Sequence, residues 1–365
     1  MALTKEAVLG QLRKVNDPEL HRDLVTLNMV KDVTVEGENV RIQIELTTPA
    51  CPLKDQIETD VRAAVTALPD RVQRVDVEFT ANVKAATPQG KAAENNPLPD
   101  VKHIIAVGAG KGGVGKSTVA VSLALGLARE GAEVGLLDGD IYGPSLPTML
   151  GIGGHEVRAD GNMMLPFTDH GIKSMTIGVL AGEEKPLIWR GPMAHGAFRD
   201  LATRTLWGAL DYLVIDLPPG TGDVPLTMSQ LMPLTGAVVV CTPQKVAQDD
   251  ARRAVRMFQQ LNVEVLGVVE NMSYFIGDDG KTYDIFGRGG AETMATQMQI
   301  PFLGAVPINM ALRANCDAGT PLANFEEGTK LCAELENVVR NLAGQVSVHA
   351  MSGQFQQPTI SISGD

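Results

Sequence analysis

The stretch Gly110-Lys111-Gly112-Gly113-Val114-Gly115-Lys116-Ser117 fits Gly-x-x-x-x-Gly-Lys-[Ser/Thr], a spacing whose chemistry is the grip on a nucleoside triphosphate. Glycines let successive backbone N–H groups converge on phosphate oxygens. A helix that starts at the lysine adds the positive end of its dipole. Lys116 is expected at the β- and γ-phosphates, and the Ser117 hydroxyl on Mg²⁺. The predicted nucleotide contact runs from Gly110 through Thr118, with ATP the favoured nucleotide. Two more segments end in acids: Tyr212-Leu213-Val214-Ile215-Asp216 and Leu136-Leu137-Asp138-Gly139-Asp140. A carboxylate at a carboxyl-end strand tip faces the crevice where open α/β sheets bind ligands. Asp216 is therefore expected to support Mg²⁺ through water. Loop capping is the alternative for any one of these acids. The following Leu217–Asp223 loop, Leu-Pro-Pro-Gly-Thr-Gly-Asp, is stiff and then flexible, suited to sensing a γ-phosphate.

These residues need a scaffold that brings strand tips together. From Val101 to about Ala343, short apolar runs alternate with helical patterns. The runs are 103–107, 134–137, 172–180, 212–215, 237–241, 265–269 and 302–306. Each is too short for a helix and precedes a Gly/Pro-rich loop, which predicts βα units and a mostly parallel sheet over 101–345. The last helix is expected at roughly 326–342, and 346–365 reads as a polar flexible tail. Ahead of this domain, residues 1–85 read as a small α-β-β-α-β unit. Val8, Leu12 and Val15 follow a Thr4 N-cap. Val40, Ile42, Ile44 and Leu46 alternate with polar residues. Ile57, Val61 and Val65 stripe a second helix, and Val75, Val77 and Phe79 a third strand. Residues 86–100 lack apolar periodicity and read as a linker. The fold class is thus α/β: a P-loop NTPase domain preceded by a small α-β-β-α-β domain.

Composition narrows the function classes. The 365 residues carry 31 Lys+Arg against 43 Asp+Glu, a formal net charge of −12, which disfavours a nucleic-acid binder. No apolar run is long enough to cross a bilayer, and the N-terminus lacks a signal-peptide core. Only 4 Cys, without paired spacing, exclude a disulfide scaffold and fit a reducing, cytoplasmic setting.

The extra Lys111, second in the loop, is not required by phosphate binding; a solvent-exposed loop lysine is the bland account of it. With it, the loop resembles that of the deviant Walker-A ATPases. That superfamily includes the Mrp proteins, the nitrogenase iron protein, and the division and partition ATPases. The resemblance implies that Lys111 reaches across a homodimer to the partner's nucleotide and that Asp140 orients the attacking water. It places Asp138 in the metal shell, sets Asn271 against adenine, and makes Pro307 a candidate for packing on the base. It makes Lys111, Lys116 and Asp140 the catalytic set and implies slow, switch-like ATP hydrolysis.

Asp138-Gly139-Asp140-Ile141-Tyr142-Gly143-Pro144-Ser145, Arg190-Gly191-Pro192-Met193, Glu270-Asn271-Met272-Ser273-Tyr274 and Ile285-Phe286-Gly287-x-Gly289-Gly290 narrow the likeness to the Mrp/ApbC family of iron–sulfur cluster carriers. Asp17-Pro18-Glu19 and Thr47-Thr48-Pro49-Ala50-Cys51-Pro52 resemble the small domain of iron–sulfur assembly factors. The implied cargo is an iron–sulfur cluster, and the implied partners are a scaffold and apo-protein clients.

One departure stands out. The family usually carries Cys-x-x-Cys directly after Met-Ser-Tyr, giving four thiolates in a dimer. Here Ile276 is followed by Gly277-Asp278-Asp279-Gly280. Cys241 reads as a core residue, and Cys316 and Cys332 lack ligand spacing. Cys51, before Pro52, is expected at the start of the second helix, where the dipole favours thiolate. It reads either as a contact to the cluster or as a structural helix-start cysteine. Three functions compete: a cluster carrier, an assembly or regulatory ATPase without its own cluster, and a division or partition-type positioning ATPase. The tail has no membrane-binding amphipathic pattern, which counts against the last.

Overall fold

The computed structural model describes residues 3–18, 20–69, 72–85, 96–181, 191–220, 223–277 and 279–355. The chain divides into two compact units, Met1–Lys84 and Ala85–Asp365.

In the first unit, α1 (Lys5–Leu12) is capped by the Thr4 side chain, which accepts from Ala7 N at 3.2 Å. The hairpin β1 (Val30–Glu36) and β2 (Asn39–Leu46) turns at Gly37, whose φ of +65° suits glycine. Val40, Ile42, Ile44 and Leu46 all face inward, as the alternation predicts. Helix α2 (Lys54–Thr66) buries Ile57, Val61 and Val65, and β3 (Arg74–Ala81) adds in parallel to β2. The expected α-β-β-α-β order is present, with one added pair of two-residue strands, Asn16–Asp17 and Arg22–Asp23.

Among the described residues, the second unit carries a nine-stranded sheet. Its parallel strands are β4 (Val101–Ala109), β5 (Val134–Asp138), β6 (Ile172–Met175), β7 (Leu210–Asp216), β8 (Gly236–Cys241), β9 (Val265–Ile276) and β10 (Phe302–Ile308). In space they run β6-β5-β7-β4-β8-β9-β10. Short antiparallel strands Phe167–Asp169 and Thr282–Tyr283 pair with β6 and the far end of β9. The chain order reverses around β4, and this switch point holds the phosphate loop. Helix α3 (Lys116–Arg129) starts there and is buried along almost its whole length, from Val119 to Leu127.

Among the described residues, the longer helices that remain are α4 (Gly191–Thr203), α5 (Asp223–Leu231), α6 (Lys245–Gln260), α7 (Gly290–Met298), α8 (Met310–Asp317) and α9 (Lys330–Phe355). Helix α9 corrects the expected tail. Residues 346–355 continue the last helix, and Val346, Ser347, Ala350 and Met351 are buried. Their spacing of one and four is a helical face that small and polar side chains disguised. Residues 356–365 lie outside the described residues, as do 86–95 of the expected linker; Asn96–Asp100 turn into β4 with Leu98 buried. Residues 177–181 form a short helix rather than a continuation of β6. No described helix is long and apolar enough to cross a membrane.

Candidate nucleotide site

Strand β4 delivers the loop and α3 receives it. Gly113 and Gly115 sit at φ +81° and +80°, the left-handed region that side chains avoid. Gly110 is constrained differently: a Cβ there would lie 2.1 Å from the Asp250 carbonyl oxygen of α6, so the loop runs against that helix's backbone.

Under the loop four of the expected residues meet. Lys116 Nζ lies 2.5 Å from Asp216 Oδ1, 3.3 Å from Ser117 Oγ and 3.9 Å from Asp140 Oδ2. Lys116 and Asp216 are buried and Asp140 is nearly so, so little solvent screens them. Burial raises the Asp216 carboxyl, and Lys116 opposes the rise. Burial also raises Asp140, again opposed by Lys116. Asp216 Oδ2 is fully buried and, among the described residues, has no hydrogen-bond partner. A buried, unsatisfied carboxylate oxygen beside a serine hydroxyl fits the hard oxygen donors of Mg²⁺.

Asp138 has another task. Its Oδ1 accepts from Asp140 N at 3.1 Å. Its Oδ2 accepts from Thr176 Oγ1 at 3.0 Å and Leu146 N at 3.4 Å. Burial, and secondarily the Asp216 charge, push its carboxyl up to about 7. Both oxygens are thus engaged in shaping the 139–146 loop that carries Asp140, which sets Asp138 apart from the metal-shell role expected of it.

Asn271 is likewise placed differently from the expectation. It is buried, and its Nδ2 donates to the Val114 carbonyl at 2.8 Å, so its donor holds the loop rather than facing a base. Pro307 lies inside β10, not after it. It is tolerated there because, among the described residues, β10 is paired on one side only. Thr118 is half-buried at the first turn of α3. Lys111 is half-buried in the loop, close enough to Cys241 for its charge to counter the rise of that thiol. Arg190, Thr221 and Gly222 lie outside the described residues.

The cysteines separate clearly. Cys241, Cys316 and Cys332 are buried free thiols. Burial, then the Glu270 charge, push Cys241 up to about 12, consistent with a core residue. Cys51 is half-exposed, but helix α2 begins only at Lys54 with Leu53 as its cap, so Cys51 sits in the preceding turn and not at the helix start. At the Cys-x-x-Cys position a hairpin closes on itself. Gly277 N donates to Lys281 O at 2.9 Å, and Gly280 N to Gly277 O at 2.9 Å. Asp279 accepts from Lys281 N at 3.0 Å and from the Tyr283 hydroxyl at 2.8 Å. No described group of three His, Cys, Asp or Glu residues could hold a metal ion.

A family model described as ParA: NUBPL iron-transfer P-loop NTPase matches residues 100–343. The chain belongs to that family. A second model, for iron–sulfur cluster assembly proteins, matches residues 5–77. An iron–sulfur cluster carrier protein of Deinococcus radiodurans is 50% identical over 349 residues, covering 95% of this chain and 97% of its own. The Escherichia coli K12 protein of the same name is 40% identical over 348 residues, covering 93% and 91%. A nucleotide-binding protein of Archaeoglobus fulgidus solved with ADP superposes with a TM-score of 0.56 at 38% identity, over 63% of this chain and 93% of that one. The family places the phosphate loop and the glycine-rich 285–290 motif in one module.

Sequence reasoning missed Glu270. It is buried, and its carboxylate accepts from Ser273 Oγ, Gly289 N and Ala291 N at 2.5, 2.9 and 2.8 Å, anchoring the start of α7. The signal was available: an acid directly after an apolar strand, answered by Gly289-Gly290.

Proposed function

We propose that this chain is an ATP-hydrolysing carrier that receives an iron–sulfur cluster and passes it to apo-proteins, acting as a cytoplasmic homodimer. The observation that carries the hydrolytic half is the buried Lys116–Asp216 pair with its unsatisfied Asp216 Oδ2 beneath a glycine loop. The carrier half rests on relatives named for it along almost the full chain.

Lys116 leaves Asp216 for the β- and γ-phosphates, and the loop N–H groups cradle their oxygens. Ser117 and Asp216 would hold Mg²⁺, which supplies charge neutralisation on the phosphates. Asp140, whose Oδ1 accepts from Gly143 N at 3.2 Å, keeps Oδ2 directed to the Lys116 side and orients the attacking water there. Lys111 of a second copy neutralises the negative charge that develops on the leaving oxygen. Asn271 holds the loop in place through the Val114 carbonyl.

Cys51 is the thiol in reach of solvent, and we assign it the contact with the cluster cargo. A second reading is favoured by one specific observation, the glycines at 277 and 280: an assembly ATPase that holds no cluster of its own. Anaerobic reconstitution with iron and sulfide, followed by iron and labile sulfide per monomer, separates the two. The carrier reading expects a bound chromophore that Cys51→Ser removes. A colourless protein with full phosphate release supports the second reading instead.

A further inference from the structure

Strand β9 ends in a form that no regular strand adopts. Met272 has φ +56°, and the register against β10 slips between Asn271 and Phe275. This is a bulge with a non-glycine residue in the left-handed region, a conformation that persists only where its surroundings over-determine it.

The bulge sends neighbouring side chains to different parts of the domain. Asn271 donates to Val114 of the phosphate loop, and the Met272 methyl lies 3.7 Å from where a Cβ on Gly115 would sit. Glu270 and Ser273 turn to the start of α7, where Glu270 takes both backbone donors. Tyr274 donates to Glu334 of α9 at 2.7 Å, and the Arg288 guanidinium stands 4.6 Å from its ring. Asn271 therefore touches the phosphate loop, while Glu270, Ser273 and Tyr274 grip the segment that returns from the 277–283 hairpin and α9. Stripping donors from a buried carboxylate costs stability, so Glu270, filled by three of them, ties the position of Gly289–Ala291 to that of the β9 end.

We propose that residues 270–274 are a mechanical link between the phosphate loop and the hairpin segment 276–289, with Asn271 reading the loop and Glu270 as the positioning residue on the hairpin side. The link rests on the nucleotide-binding reading above. Closure of loop N–H groups on phosphate moves the Val114 carbonyl, Asn271 follows it, and the adjoining Glu270 moves the start of α7. The hairpin at the family's cysteine position then responds to nucleotide without touching it.

The test is hydrogen exchange of the full-length protein with and without Mg-ADP, read at the amides of 277–291, with those of 110–117 as the direct binding signal. Wild-type chain is expected to change its exchange at 277–291 by about threefold or more on binding. Glu270→Gln, which keeps the shape but lacks the second acceptor, is expected to bind ADP within about twofold of wild type and lose the hairpin response. Ser273→Ala, which withdraws one donor from Glu270, is expected to leave a reduced response and covers the case in which Glu270→Gln misfolds. A hairpin response undiminished in either folded variant overturns the link. Wild-type binding at 110–117 with no change at 277–291 overturns it while leaving the nucleotide reading intact. No protection at 110–117 overturns both.

Discussion

The carboxyl ends of β4 and β9 lie in one sheet and handle polar groups in opposite ways. Where the loop after β4 meets the end of β7, the chain buries Lys116 and Asp216 together and leaves Asp216 Oδ2 without a partner among the described residues. At the β9 hairpin Asp279 engages both its carboxylate oxygens, and the turn closes through its own backbone. A site built for a ligand carries unmet demand, whereas a turn that has met its own demand offers a ligand nothing. The contrast sets the unmet polar demand at the phosphate loop and the met demand in the 277–283 turn.

The comparison breaks most sharply at Lys116. Lys116→Ala is expected to lower ATP hydrolysis by at least ~10²-fold in a phosphate-release assay. It also leaves the Asp216 charge buried and alone, a loss of roughly 3 kcal/mol in urea unfolding. Asp140→Asn tests whether the demand at β4 is catalytic: hydrolysis should fall about 10²-fold while ADP affinity, by calorimetry, holds. On the hairpin side, Gly280→Ala should cost about 1 kcal/mol in the same urea experiment, because φ there is +73°, and leave hydrolysis untouched.

A further effect is in pH. The Asp138 carboxyl rises to about 7 when folded, against 3.8 for the free side chain. Between these values the folded chain binds the extra proton, so stability is greatest below about pH 4 on this account and declines as pH rises toward 7. The thermal midpoint of nucleotide-free protein should fall across that window, and Asp138→Asn should flatten the fall.

Much of the β4 side was legible in the sequence because its constraints are local. Fixed glycine spacing, an apolar strand and an acid at the tip each leave a mark within a few residues. The N-terminal unit was legible for the same reason, since strict alternation in 39–46 admits one buried face. What escaped depends on distant partners. Asn271 holds Val114, Glu270 holds Ala291, and Asp138 holds Thr176, and none of these pairings has a sequence spacing that predicts it. Cys51 was misplaced because proline often opens a helix, yet here a further turn intervenes before Lys54. The end of α9 escaped because its inward face is made of Val346, Ser347, Ala350 and Met351, too mild a stripe to separate from a polar tail.

Helix α9 packs on α3 so closely that a Cβ on Gly126 would meet Val339 at 2.4 Å. During synthesis the two surfaces are separated by most of the domain. At elongation rates of roughly 5–20 residues per second Val339 leaves the ribosome about 10–40 s after Gly126. For that interval the outer side of the helix that bears the phosphate loop has no cover. A nascent chain therefore completes the packing around its phosphate-loop helix only when α9 is released.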